Sequence, residues 1–176
     1  MSGISSLGET PTHMRRNKWI IVTGLLIAML AAYVGFAMES EEIEAPLAEQ
    51  EAEWMTDFEA AKAQAKESGK PMLLDFTGSD WCIWCVRLKE EVFSRQPFVA
   101  FARDELVLVK LDFPRSKPQS EAVKAQNEAL LEEYGVRGFP TIVLLSPEGE
   151  LVDKTGYRSG GPEAYVTHLK DLLAIN

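Results

Sequence analysis

Cysteine is nearly absent from this chain of 176 residues: Cys82 and Cys85 are the only two. Histidine is equally scarce, with His13 ahead of an apolar N-terminal run and His168 near the C-terminus. A structural zinc site takes about four Cys or His ligands, usually from two such pairs, and this set fits one poorly. A disulfide framework of the small secreted kind is excluded, because no cysteine remains beyond these two. Positive charge is also in deficit. Lys and Arg number 18 against 27 Asp and Glu, a net charge of −9. From residue 39 onward the balance is 15 basic against 26 acidic, or −11. That sign argues against nucleic acid or an anionic lipid surface as a partner. No internal repeat is present.

One long hydrophobic run stands out. Trp19 to Met38 is interrupted only by Thr23, Gly24 and Gly35. At about twenty residues it is long enough to span a bilayer as a helix. Arg15, Arg16 and Lys18 precede it and an acidic stretch, Glu39 to Glu53, follows. The positive-inside bias then places residues 1–18 in the cytoplasm and everything after the run outside it. Residues 19–38 read as a transmembrane signal anchor or a signal peptide, cleaved for instance after Ala37. The run exceeds the usual apolar core of a signal peptide, about 7–15 residues, which favours the anchor. Met14, directly before the basic pair, is a second candidate start; the residues around Arg15-Arg16 match a twin-arginine signal poorly. Residues 39–53 read as a solvated acidic linker and residues 54–176 as the working domain. Its expected location is extracytoplasmic (periplasmic), tethered to the cytoplasmic membrane, or secreted if the run is cleaved.

Within that domain the pattern predicts a helix opened by Trp54, Phe58, Ala61 and Ala65 and stopped near Gly69. A buried strand follows at 72–77, then an amphipathic helix over 82–93 and a short helix over 97–103. Leu106 to Phe113 reads as a second strand and Glu121 to Tyr134 as a helix ending at Gly135. Thr141 to Leu145 and Leu151 to Tyr157 form a hairpin through Ser146-Pro147-Glu148-Gly149. A last helix covers 163–174, with Tyr165, Leu169, Leu172 and Leu173 inward. This order predicts an α/β domain with a mixed sheet and helices on both faces.

The cysteines sit in Trp81-Cys82-Ile83-Trp84-Cys85, between the first strand and an amphipathic helix. Unpaired N–H groups and the helix dipole at such an N-terminus stabilise a thiolate, the nucleophile of thiol–disulfide exchange. A second cysteine one turn on can resolve the mixed disulfide. Zinc and an inert disulfide are the rival readings; the latter would close a very short loop and gain little chain entropy. The strand–Cys–helix setting favours redox chemistry.

Over residues 54–175 the chain resembles the thioredoxin superfamily. Three segments carry the likeness: the Trp-Cys-x-x-Cys run, Gly135-Val136-Arg137-Gly138-Phe139-Pro140-Thr141, and Val109-Lys110-Leu111-Asp112. Phe76-Thr77-Gly78-Ser79-Asp80-Trp81-Cys82 and Glu91-Val92-Phe93 look most like membrane-linked members, such as the C-terminal domain of bacterial transmembrane thiol:disulfide interchange proteins. The resemblance implies a thioredoxin fold and a protein thiol–disulfide oxidoreductase with no cofactor beyond a redox-active Cys82–Cys85 disulfide. Cys82 would be the exposed attacking thiolate and Cys85 the more buried resolving thiol. Asp75 would move the proton of Cys85, with Lys110 as its partner. Pro140, if cis, would lie beside the pair and present backbone to an extended substrate, with Trp81, Trp84 and Phe139 around it. Trp81 is expected against the domain edge, and Asp80 as an exposed loop acid.

The segment between the cysteines is Ile83-Trp84, with neither proline nor histidine. A histidine there stabilises the thiolate of a strong oxidant, so its absence favours reduction or electron relay over oxidation or isomerisation. The implied partners are protein disulfides and a membrane electron donor, since the extracytoplasmic side lacks a ready thiol supply. A peptide-binding module with a merely structural disulfide is the alternative from another class.

Overall fold

The computed structural model describes residues 51–175. The expected cytoplasmic segment, the membrane run and most of the acidic linker lie outside them. Among the described residues no helix is long and apolar enough to cross a membrane.

Five strands form one sheet in the order β1-β3-β2-β4-β5. They are β1 (Trp54–Met55), β2 (Met72–Thr77), β3 (Val107–Asp112), β4 (Thr141–Leu145) and β5 (Leu151–Thr155). Strand β3 runs parallel to both β1 and β2, while β4 is antiparallel to β2 and β5. The central strand, Met-Leu-Leu-Asp-Phe-Thr, is buried along its whole length, as an apolar run between neighbours on both edges requires.

Strand periodicity sorts its side chains into two cores. Met72, Leu74 and Phe76 pack under α1 (Phe58–Ser68) and α4 (Glu121–Glu133), reaching Phe58, Ala61 and Leu130. Leu73 packs on the other face with Leu88, Phe98, Tyr165 and Leu169. Those belong to α2 (Ile83–Leu88), α3 (Gln96–Glu105) and α5 (Gly161–Leu173). Asp75 and Thr77 share the parity of Leu73, so a carboxyl projects toward the second, otherwise apolar layer.

Three expectations are corrected. Trp54 does not open a helix. Asp57 caps α1 by accepting the Ala60 N–H at 3.0 Å, so the helix begins at Phe58. Trp54 instead pairs with Leu108 in the sheet and packs on Phe93, with ring centroids 5.1 Å apart. The cysteine helix is not uniformly α-helical either: Lys89–Phe93 widen into a π-helical turn after Leu88. Such turns concentrate near functional sites. The strand predicted to end at Tyr157 stops at Thr155, leaving Tyr157 in the loop before α5.

Candidate active site

The cysteines close a disulfide, with sulfurs 2.18 Å and Cα atoms 5.2 Å apart. Cys82 is the N-cap of α2, and its Sγ accepts the N–H of Cys85 at 3.2 Å. Val86 N–H points back to the Cys82 carbonyl at 3.1 Å, closing the first turn. A thiolate at Cys82 would therefore meet a donated N–H and the positive end of the helix. The expected contrast in exposure is small: Cys82 is 6% exposed and Cys85 4%. Their flanks are the open part, with Ile83 64% and Trp84 48% exposed.

Asp75 stands where the sequence puts it, beside Lys110 on β3 and Ile142 on β4. It is buried, and its Oδ1 finds no hydrogen-bond partner. Burial pushes its pKa up to about 7; the Lys110 ammonium pulls it down and the Asp112 carboxylate raises it. Asp75, Cys85 and Lys110 line one cleft of about 610 Å³, shared with Lys89 and Lys117. That volume is ample for water between the carboxyl and solvent.

The ion pair formed by Lys110 departs from expectation. Its ammonium pairs with Asp112 at 3.7 Å, and its influence on Asp75 is through space. Strand periodicity brings both residues to the same face of β3. Asp112 also accepts the Ser79 N–H at 2.9 Å and its hydroxyl at 2.6 Å, and Lys117 donates to that hydroxyl at 3.2 Å. Replacing Asp112 by Asn removes the charge that opposes ionisation of Asp75, while an amide oxygen can still accept from Ser79. The Asp75 pKa is expected to fall below 7, as read by carboxyl-carbon NMR titration.

The Phe139–Pro140 bond is cis. Pro140 and Phe139 line a shallow groove of about 580 Å³ with Trp84, Tyr157, Arg158 and Ser159. Trp81 lies at the domain edge as expected. Its Nε1 donates to the Phe113 carbonyl at 2.8 Å, its ring meets Phe139 edge-on at 5.7 Å, and Arg115 sits 4.0 Å over its face. Gly78 makes this seat possible, since a Cβ there would stand 2.5 Å from the Trp81 ring. Gly78→Ala should displace the indole, at about 1–3 kcal/mol. Near-UV circular dichroism would report the displacement and a urea melt the loss.

Asp80 is more than a loop acid. It accepts from the N–H groups of Arg115 and Ser116 at 3.0 and 2.8 Å and from the Ser116 hydroxyl at 2.6 Å. These bonds hold its carboxyl well below the usual range. Asp80 thus fastens the Cys82 loop to the segment after β3, as Ser79 does through Asp112. Sequence reading also missed Tyr157 and Arg158. Their signal was weak, because they reach the site from a loop some seventy residues beyond the cysteines.

A family model described as thioredoxin-like matches residues 53–147. The chain belongs to the thioredoxin-like family. Its redox pair at the head of α2 makes it a thiol–disulfide oxidoreductase. Among curated proteins it is 35% identical over 130 residues to the disulfide bond reductase DsbH of Chlamydia pneumoniae, covering 74% of this chain and 78% of that one. It is 31% identical over 147 residues to the thiol:disulfide interchange protein DsbD of Salmonella typhimurium, covering 84% of this chain but only 24% of that larger protein. Among solved structures, a DsbH oxidoreductase superposes with a TM-score of 0.71 at 33% identity, over 78% of this chain and 95% of the other. These matches establish the thioredoxin-like domain expected from the sequence.

Proposed function

We propose that this domain works outside the cytoplasm as a reductase, or electron relay, for protein disulfides. The observation that carries the reading is the seating of Cys82: its sulfur caps α2, the same turn carries Trp84 into an open groove lined by Pro140, and Cys85 lines the Asp75 cleft. In the reduced protein the Cys82 thiolate attacks one sulfur of a substrate disulfide. That S–S bond breaks, a mixed disulfide forms, and the departing thiolate takes a proton. The Asp75 carboxylate accepts the Cys85 proton, and the Cys85 thiolate attacks Cys82 Sγ. The second substrate thiol leaves and the Cys82–Cys85 disulfide returns, two electrons having passed to the substrate. The pair itself is the only redox group this scheme uses.

Direction and place rest on other support. The dipeptide Ile83-Trp84 supplies no cation to hold a strongly oxidising thiolate, and the similar protein named above is described as a reductase. The basic residues before the 19–38 run support a location of the domain across the membrane from the cytoplasm. There the pair would be re-reduced by a dithiol donor in or at the membrane.

The test uses the chemically reduced full chain in detergent, mixed with a disulfide-bonded protein. Two substrate thiols are expected per chain oxidised, and none from the Cys82→Ser, Cys85→Ser double variant. A double variant that matched the parent in a cellular assay would instead mark a binding module. Labelling of the reduced pair in intact cells by a membrane-impermeant thiol reagent tests the location.

A further inference from the structure

The groove beside Pro140 has a charge the rest of the domain does not predict. Residues 51–175 carry 15 basic and 21 acidic side chains, yet the six groove-lining residues include Arg158 and no carboxylate. A second guanidinium, Arg87, lies 5.1 Å over the Trp84 ring, and that ring lies 5.1 Å from Tyr157. Neither arginine forms a salt bridge among the described residues. The groove thus offers aromatic surface and a guanidinium with no carboxylate in its lining, Glu91 standing behind it on the Tyr157 hydroxyl, and Trp84, two residues from Cys82, ties it to the redox pair.

The loop that carries Arg158 is pinned. Tyr157 donates its hydroxyl to Glu91 Oε2 at 2.6 Å, which engages the carboxylate of the adjoining π-helical turn. Tyr165 donates to the Gly156 carbonyl at 3.0 Å. Gly156 passes so close to Pro140 that a Cβ on it would stand 3.1 Å from the proline carbonyl. The backbone that carries Arg158 is therefore held against the cis-Pro140 segment, so little of it remains to be ordered on binding.

We propose that Arg158, with Arg87, makes this oxidoreductase select disulfides in extended polypeptide segments that carry Asp or Glu beside the reacting cysteine. The proposal rests on the reading of the site as a protein-disulfide reductase. A guanidinium fork matches a carboxylate in two-point geometry, and a peptide laid along Pro140 brings its flanking side chain to the groove. Both arginines are exposed, so the gain is that of a screened surface pair.

The test is single-turnover reduction by the pre-reduced full chain in detergent. Two disulfide peptides serve as substrates, identical except for Asp or Lys next to the cysteine. The Asp peptide is expected to react about fivefold faster at low salt, and the ratio should shrink as salt screens the contact. Arg158→Gln should bring the ratio toward one, whereas Lys62→Gln, a charge change on α1, should leave it where it was. Equal rates for both peptides with the parent chain would overturn the selectivity and leave the oxidoreductase reading standing. A ratio unchanged in Arg158→Gln would overturn the assignment to this arginine. Failure to reduce either peptide would overturn both readings.

Discussion

Cys82→Ser should lower disulfide exchange by roughly 10³-fold or more, to the uncatalysed background, because a serine hydroxyl supplies no thiolate to the capped position. Cys85→Ser should behave differently. Cys82 then still attacks, but nothing one turn along the helix can resolve the adduct, so a mixed disulfide with substrate accumulates. The two variants separate the roles that near-equal burial of the two cysteine residues leaves undistinguished. Denaturing non-reducing gels after mixing with a disulfide protein should show a trapped band for Cys85→Ser and none for Cys82→Ser. A trapped band from Cys82→Ser would reverse the assignment.

Asp75→Asn carries the second large effect. The folded chain binds the Asp75 proton far more tightly than the unfolded chain, with a pKa of about 7 against 3.8. Stability should therefore fall as pH rises from about 4 to about 7, and then level. The difference corresponds to roughly 3–5 kcal/mol against the ionised fold at pH 8. An amide has no charge to bury, so Asp75→Asn should be more stable than the parent at pH 8 by a few kcal/mol. Near pH 4, where the parent carboxyl is protonated in the fold, this charge-derived gain vanishes. The same substitution removes the proton acceptor for Cys85, and exchange should slow roughly 10–100-fold. Urea melts at the two pH values, together with single-turnover rates, check both halves. A variant more stable and slower at pH 8 is what a buried carboxyl kept for chemistry requires; a variant no more stable at pH 8 would mean the burial penalty is offset elsewhere.

Most of the fold was legible because its signals are local. The apolar run 72–77 before Cys82 could only be a buried strand, and the Pro140 segment and the Lys110 strand announced the family. Strand β1 was not legible, since two residues carry no period, and the helical spacing of Trp54 with Phe58 masked the Asp57 cap. The candidate site divides the same way. Cys82, Cys85 and Asp75 follow from neighbours in sequence and from strand parity. Asp80 reaches backbone N–H groups 35 and 36 residues away, and Tyr157 reaches Glu91 across 66, so no window of sequence contains those contacts. The pairing of Lys110 with Asp112, rather than with its cross-strand neighbour, is likewise a matter of side-chain reach. It leaves the buried acid with one unpartnered oxygen and a cleft to solvent.

The reduction potential of the Cys82–Cys85 couple tests the central claim most directly. It is measured in the full chain by equilibration against glutathione and dithiothreitol buffers. A protein-disulfide reductase should lie near or below about −270 mV, where thioredoxin-type reductants sit. A value near about −120 mV, that of a strong disulfide oxidant, would contradict the proposed direction of electron flow.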